Sequence, residues 1–92
     1  MNEEDKFAIC YNALTLFGFE NQIDMAIEEM AELTSALLHY KRHREHNVEE
    51  EMADVQIMMK QLEIIFNSNK VAKIKNDKLL RLKERVENAK QC

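Results

Sequence analysis

In 92 residues the chain has no proline and a single glycine, Gly18. Sheets are punctuated by turns, and tight turns draw on Gly and Pro for backbone conformations that other residues resist. A chain almost free of both is left with helices. The expected fold is therefore all-α, a single domain spanning residues 1–92. No apolar run approaches the roughly 20 residues of a membrane-spanning helix. The opening Met1-Asn2-Glu3-Glu4-Asp5 is acidic where a secretion signal is positive. Cys10 and Cys92 form neither a metal-ligand pattern nor a disulfide framework, so the expected compartment is a reducing cytoplasm.

Apolar spacing predicts four helices. The first runs from about Glu3 to Leu16, carries Phe7, Cys10, Leu14 and Phe17, and ends at Gly18 in a left-handed cap. The second starts at Asn21 or Asp24, carries Ile23, Ala26, Met30, Leu33 and Leu37, and frays in the polar stretch 41–47. Asn47 is the expected N-cap of the third, followed by Glu49, Glu50 and Glu51 in the dipole-favoured first turn. That helix has Val48, Met52, Val55, Met59, Leu62 and Phe66 on one face, with Ala53, Ile57 and Ile64 opposite. A helix apolar on two sides is covered on two sides, which predicts a homo-oligomer, a dimer or tetramer. Asn67-Ser68-Asn69 breaks the chain before a basic fourth helix from about Lys70.

Charge is segregated. Residues 1–54 carry a balance of −9 and residues 55–92 a balance of +5. The acidic part argues against nucleic acid as a partner, since phosphate contacts need a positive footprint. The segregation fits two halves that attract each other, and equally an acidic half holding a metal beside a basic half that meets an anion.

Two acid pairs stand out. Glu29 and Glu32 lie one turn apart on the second helix, and Glu51 and Asp54 one turn apart on the third. Both pairs border the apolar stripes, and a short connection makes the two helices antiparallel neighbours. Four carboxylates at one level of a bundle need a cation to stay ionised. An all-oxygen set without His or Cys suits Mg²⁺, with Mn²⁺ the second choice. A di-iron centre would need Glu-x-x-His, and no Glu stands three residues before His39, His43 or His46.

The runs Phe17-Gly18-Phe19-Glu20-Asn21-Gln22, Ala26-Ile27-Glu28-Glu29-Met30-Ala31-Glu32-Leu33 and Glu50-Glu51-Met52-Ala53-Asp54-Val55 resemble the MazG-like all-α nucleoside triphosphate pyrophosphohydrolases. The likeness covers about residues 14–66, and the basic segment 78–85 resembles the last helix of small members. The family signature is Glu-x-x-Glu followed after a variable gap by Glu-x-x-Asp, here with 18 residues between Glu32 and Glu51. The resemblance implies a four-helix MazG-like bundle, assembled as a homo-oligomer. It also implies Mg²⁺-dependent cleavage of an NTP or dNTP between its α and β phosphates, giving monophosphate and pyrophosphate. Glu29, Glu32, Glu51 and Asp54 would hold the metal, with Glu28 and Glu50 beside them as a base or second-metal ligand. A catalytically silent interaction or regulatory module of the same fold is the alternative.

On the fourth helix, Val71, Leu82 and Ala89 mark the expected inward face, with Lys75, Lys78 and Arg85 close to it. Cations on a core-facing stripe need an anion. That anion is either the acid cluster itself, which the cations would neutralise, or substrate phosphate, for which Lys78, Arg81 and Arg85 are the candidates; the amides of Gln22 and Asn21 are the candidates for the nucleobase. The three His residues, on a polar helix end, are expected in solvent.

Overall fold

The computed structural model describes residues 1–91, and these contain four helices and no strand. They are α1 (Glu3–Phe17), α2 (Phe19–Lys41), α3 (Val48–Ile65) and α4 (Ser68–Lys90). Cys92 lies outside the described residues, and Cys10 is a buried free thiol. No helix is long and apolar enough to cross a membrane.

Local side chains set the helix ends. At the start of α1, Asn2 Oδ1 accepts from the Asp5 amide at 2.8 Å and the Asp5 carboxylate accepts from the Asn2 amide at 3.4 Å, a reciprocal cap. Gly18 sits at φ 96° and ψ 142°, backbone that only glycine adopts freely. Its amide closes α1 on the Leu14 carbonyl at 3.0 Å, and its carbonyl accepts from the Gln22 amide at 3.1 Å. One residue ends α1 and opens α2, so α2 starts at Phe19, ahead of the expected Asn21 or Asp24.

The polar stretch after α2 does not fray. His43 takes φ 57°, the Arg44 amide reaches the His39 carbonyl at 3.0 Å, and the His43 amide reaches Tyr40 at 3.0 Å. This is the hydrogen-bond pattern of a Schellman turn, with a histidine in the place usually held by glycine. The His46 ring then meets Tyr40 edge-on at 5.3 Å and accepts the Val48 amide on Nδ1 at 3.4 Å, leading into α3. Asn67 Oδ1 caps α4 on the Lys70 amide at 3.0 Å, which begins that helix at Ser68.

Helices α2 and α3 pack antiparallel. Gln22 meets Gln61 at one level, and Glu29 meets Glu51 and Asp54 at another, so numbers rise along one helix as they fall along the other. The seam is built from Gln22, Ala26, Glu29, Leu33 and Ala36 on α2 against Val48, Glu51, Val55, Met58, Gln61 and Leu62 on α3. On α2 this inward stripe is turned by about 60° from the apolar stripe Ile23–Leu37, at 100° per residue. Met30 and Leu37, expected inside, are exposed, and so are Met52, Met59 and Phe66 of α3. Two polar features, an amide pair and an acid cluster, occupy seam positions and displace the bulkier apolar residues outward.

Helix α1 lies across both, burying Cys10 and Leu14, while Glu3 joins α3 through Lys60 at 3.3 Å. The fully packed apolar side chains among the described residues are only Cys10, Leu14, Ala26, Ala36 and Met58, a small core for the chain length.

Helix α4 differs from the bundle expected of it. Among the described helices it touches α3 alone, and none of its residues is buried. The expected inward face, Val71 and Leu82 with Lys75 and Lys78, is exposed instead. Phe66 (φ −100°, ψ 176°) and Asn67 (φ −78°, ψ 99°) are extended, and the chain passes into α4 without folding back over α2. The radius of gyration is 16.6 Å, against about 12 Å for a compact chain of this length. Within one chain the bundle has three helices and a projecting fourth.

Candidate metal centre

Glu29 is carried by the middle of α2, Glu51 and Asp54 by the first turns of α3. One carboxylate oxygen from each of the three lies within 4.8 Å of the others. Glu51 is the most enclosed, only 8 % exposed, while Glu29 and Asp54 are half-buried. Glu51 therefore faces the seam itself; the apolar periodicity alone places it at the border. Packing of α2 on α3 brings the acids together, and the antiparallel register at the Gln22–Gln61 hydrogen bond (2.7 Å) fixes their level.

The two oxygens of Glu51 have different fates. Oε1 accepts from Asn47 Nδ2 at 2.8 Å, whereas Oε2 is buried with no hydrogen-bond partner. Glu29 Oε2 is likewise buried and unpartnered. Two orphaned carboxylate oxygens in one seam are costly, because a buried acceptor loses its water without a replacement. A bound cation, or a proton held on one of them, would offset that cost. The Glu29 carboxyl is pushed above the ordinary range by its loss of water, and then by the like charges of Glu32, Asp54 and Glu51. Three oxygen donors from carboxylates, with no sulfur or imidazole among them, match the chemistry of Mg²⁺ or Mn²⁺.

The other sequence candidates are distributed as follows. Glu32 is exposed one turn beyond Glu29; its charge acts on Glu29, but its oxygens stand outside the three-acid group. Glu28 and Glu50 are exposed beside the cluster. Gln22 is buried, with its amide engaged by Gln61, and Asn21 Nδ2 donates to the Phe17 carbonyl at 2.8 Å. Lys78, Arg81 and Arg85 lie on α4, exposed and on a helix that does not touch α2 within the chain.

Asn47 is the residue whose role the sequence pattern assigned to the wrong partner. It stands at the N-cap position of α3, but its side chain makes no cap hydrogen bond and holds Glu51 instead. The four-residue spacing from Asn47 to Glu51, one helical turn, is the sequence signal that announces this pair.

Two concavities of the surface lie elsewhere. One, about 780 Å³, is formed by the start of α1 and the α3–α4 junction around Phe7, Lys60 and Phe66. The other, about 420 Å³, is a groove on α4 alone. Comparison with protein-family models, curated proteins and solved structures finds no match for the chain.

Proposed function

We propose that the chain is a Mg²⁺-dependent nucleoside triphosphate pyrophosphohydrolase of the MazG-like kind. The observation that carries this reading is the pair of buried, unpartnered oxygens, Glu29 Oε2 and Glu51 Oε2, in a three-acid group drawn from the motif positions. Glu29, Glu51 and Asp54 would hold the ion, and Glu32, one turn from Glu29, is placed to join when its side chain turns inward. Bound there, Mg²⁺ would neutralise charge on the phosphates and lower the pKa of the attacking water. Glu28 and Glu50, exposed beside the cluster, are the candidates to take that water's proton. The water's oxygen attacks phosphorus, the α–β anhydride bond breaks, and pyrophosphate leaves from the monophosphate. Lys78, Arg81 and Arg85 are proposed for the phosphates, which on this fold requires α4 to meet the acids by some route other than packing within its own chain.

The second reading is a catalytically silent helical module. It is favoured by one observation: neither concavity borders the acids.

A magnesium titration followed by thermal melting, paired with pyrophosphate release over common and modified nucleoside triphosphates, separates the two. The enzyme reading expects stabilisation of about 2.7 kcal/mol at a hundredfold excess of metal over Kd. It also expects pyrophosphate release that Glu51→Gln abolishes. Stabilisation without release from any triphosphate supports the silent module, and the absence of both removes the metal centre.

A further inference from the structure

We propose that the cavity between the start of α1 and the α3–α4 junction is a binding site for a small organic cation, an amine carried on an aromatic or aliphatic body. The cavity holds about 780 Å³, within the range of about 300–1,000 Å³ that small-molecule sites occupy. Two helix faces build it. On α1, Glu3, Phe7 and Cys10 follow one another at one-turn spacing; on α3, Lys60 and Glu63 do the same, and Phe66 closes the side next to α4. The bridge from Lys60 to Glu3, at 3.3 Å, ties the two faces together. Lys60 lies about 9 Å along α3 from Asp54 at about 1.5 Å per residue, and none of Glu29, Glu51 and Asp54 lines the cavity. The site is therefore separate from the candidate metal centre and independent of whether those acids bind metal.

Charge and aromatic faces identify the ligand. The lining carries the carboxylates of Glu3, Glu4 and Glu63 against the single ammonium of Lys60. Glu3 is satisfied by Lys60 and by Lys6, each at 3.3 Å. Glu4 and Glu63 have no ion-pair partner among the described residues. The rings of Phe7 and Phe66 are 57 % and 59 % exposed. An aromatic face attracts a cation, and more strongly as water is displaced. At the floor Cys10 is only 4 % exposed, and its thiol has no hydrogen-bond partner. That thiol offers a soft apolar contact and a weak open donor to whatever fills the cavity. An anion would meet two unpaired carboxylates, and a wholly apolar ligand would strip their water without replacing it. An amine pairs with them while its body covers the rings and the thiol.

Phenethylammonium is the probe, titrated into the full chain at fixed ionic strength and followed by amide chemical shifts. Saturable shifts centred on Phe7, Cys10 and Phe66 are expected, with Kd in the low millimolar range or tighter for so small a ligand. Phenylpropionate, similar in shape and negative, should bind at least about tenfold more weakly. Glu4→Gln/Glu63→Gln should weaken the amine about tenfold through lost charge, and Phe66→Ala about fivefold through a lost ring face. Glu45→Gln, which removes an exposed acid in the α2–α3 connection, should leave Kd unchanged; circular dichroism checks that each variant keeps its helix content. Shifts that do not saturate, or that centre on Glu29, Glu51 and Asp54, would overturn the proposal. So would equal binding of phenylpropionate, either cavity variant binding the amine as tightly as wild type, or Glu45→Gln weakening it as much as they do.

Discussion

The α2–α3 seam and helix α4 are built from similar apolar repeats, yet one repeat is hidden and the other is bare. In the seam the positions that face inward include Gln22, Gln61, Glu29 and Glu51, all polar, and the apolar residues beside them are turned partly outward. On α4 the apolar residues are those of an ordinary helix stripe and remain half in water. Periodicity therefore reports that a helix has a side to bury. It does not report which neighbour does the burying, and it misplaces the side when polar groups have partners of their own. In the seam specific polar pairs choose the rotation; on α4 nothing within the chain makes that choice.

The sharpest way to break this comparison is to remove one of the polar pairs. Gln61→Leu leaves the Gln22 amide buried without its partner, and is expected to cost about 1–3 kcal/mol in denaturant melts. The double variant Gln22→Leu/Gln61→Leu should recover most of that loss, since no amide is then orphaned. Lys83→Gln, on exposed α4, should stay within about 0.5 kcal/mol. If both single and double seam variants also stay within that range, the amide pair does not hold the register.

A smaller effect is expected one layer away from the acids. Asn47→Ala frees Glu51 Oε1 while leaving the carboxylates in place, and should weaken Mg²⁺ binding about tenfold by calorimetry, the lower end for loss of a group that orients a ligand. Helix content should be unchanged, because Asn47 makes no side-chain cap hydrogen bond to lose. Unaltered metal affinity would reduce the Asn47–Glu51 bond to a surface detail.

The smallest effect belongs to Glu29. Its carboxyl binds a proton more tightly folded than unfolded, so its contribution favours the metal-free fold below the ordinary value of 4.5 and is lost as pH rises through the raised folded value. Glu3 works in the opposite direction, since the hydrogen bond from Lys6, then that from Lys60, holds it below the ordinary range. The difference between wild type and Glu29→Gln isolates the first term. In the absence of metal, Glu29→Gln should gain stability relative to wild type as pH is raised above 4.5. A constant difference across that range would mean Glu29 is not strained, and saturating Mg²⁺ should reverse the sign.

What was legible in the residues follows from the same contrast. Four helices could be read from apolar spacing and the scarcity of Gly and Pro, and the break at Gly18 from its unique conformational freedom. Three of the four motif acids, Glu29, Glu51 and Asp54, meet as their spacing predicts. The rotation of the seam could not be read, because a pattern of apolar residues sets Glu51 only at the border of its stripe and has no term for the partners that bring it and Gln22 in. Nor could the start of α2 at Phe19, since Asn21 and Asp24 look like caps and the cap was the preceding glycine. The position of α4 was hidden for a third reason: a stripe alone does not tell whether its cover is in the same molecule.

The closed turn at His43 has a consequence for the order of events. It joins α2 to α3 with a connection of only six residues, from Arg42 to Asn47. Every acid of the candidate centre thus comes from one helical hairpin, and the contacts that assemble it are close in sequence. Chains dominated by such near-neighbour contacts fold fast, because little loop entropy is lost before the first contacts form. The ligand set should therefore be in place within the earliest unimolecular phase of refolding.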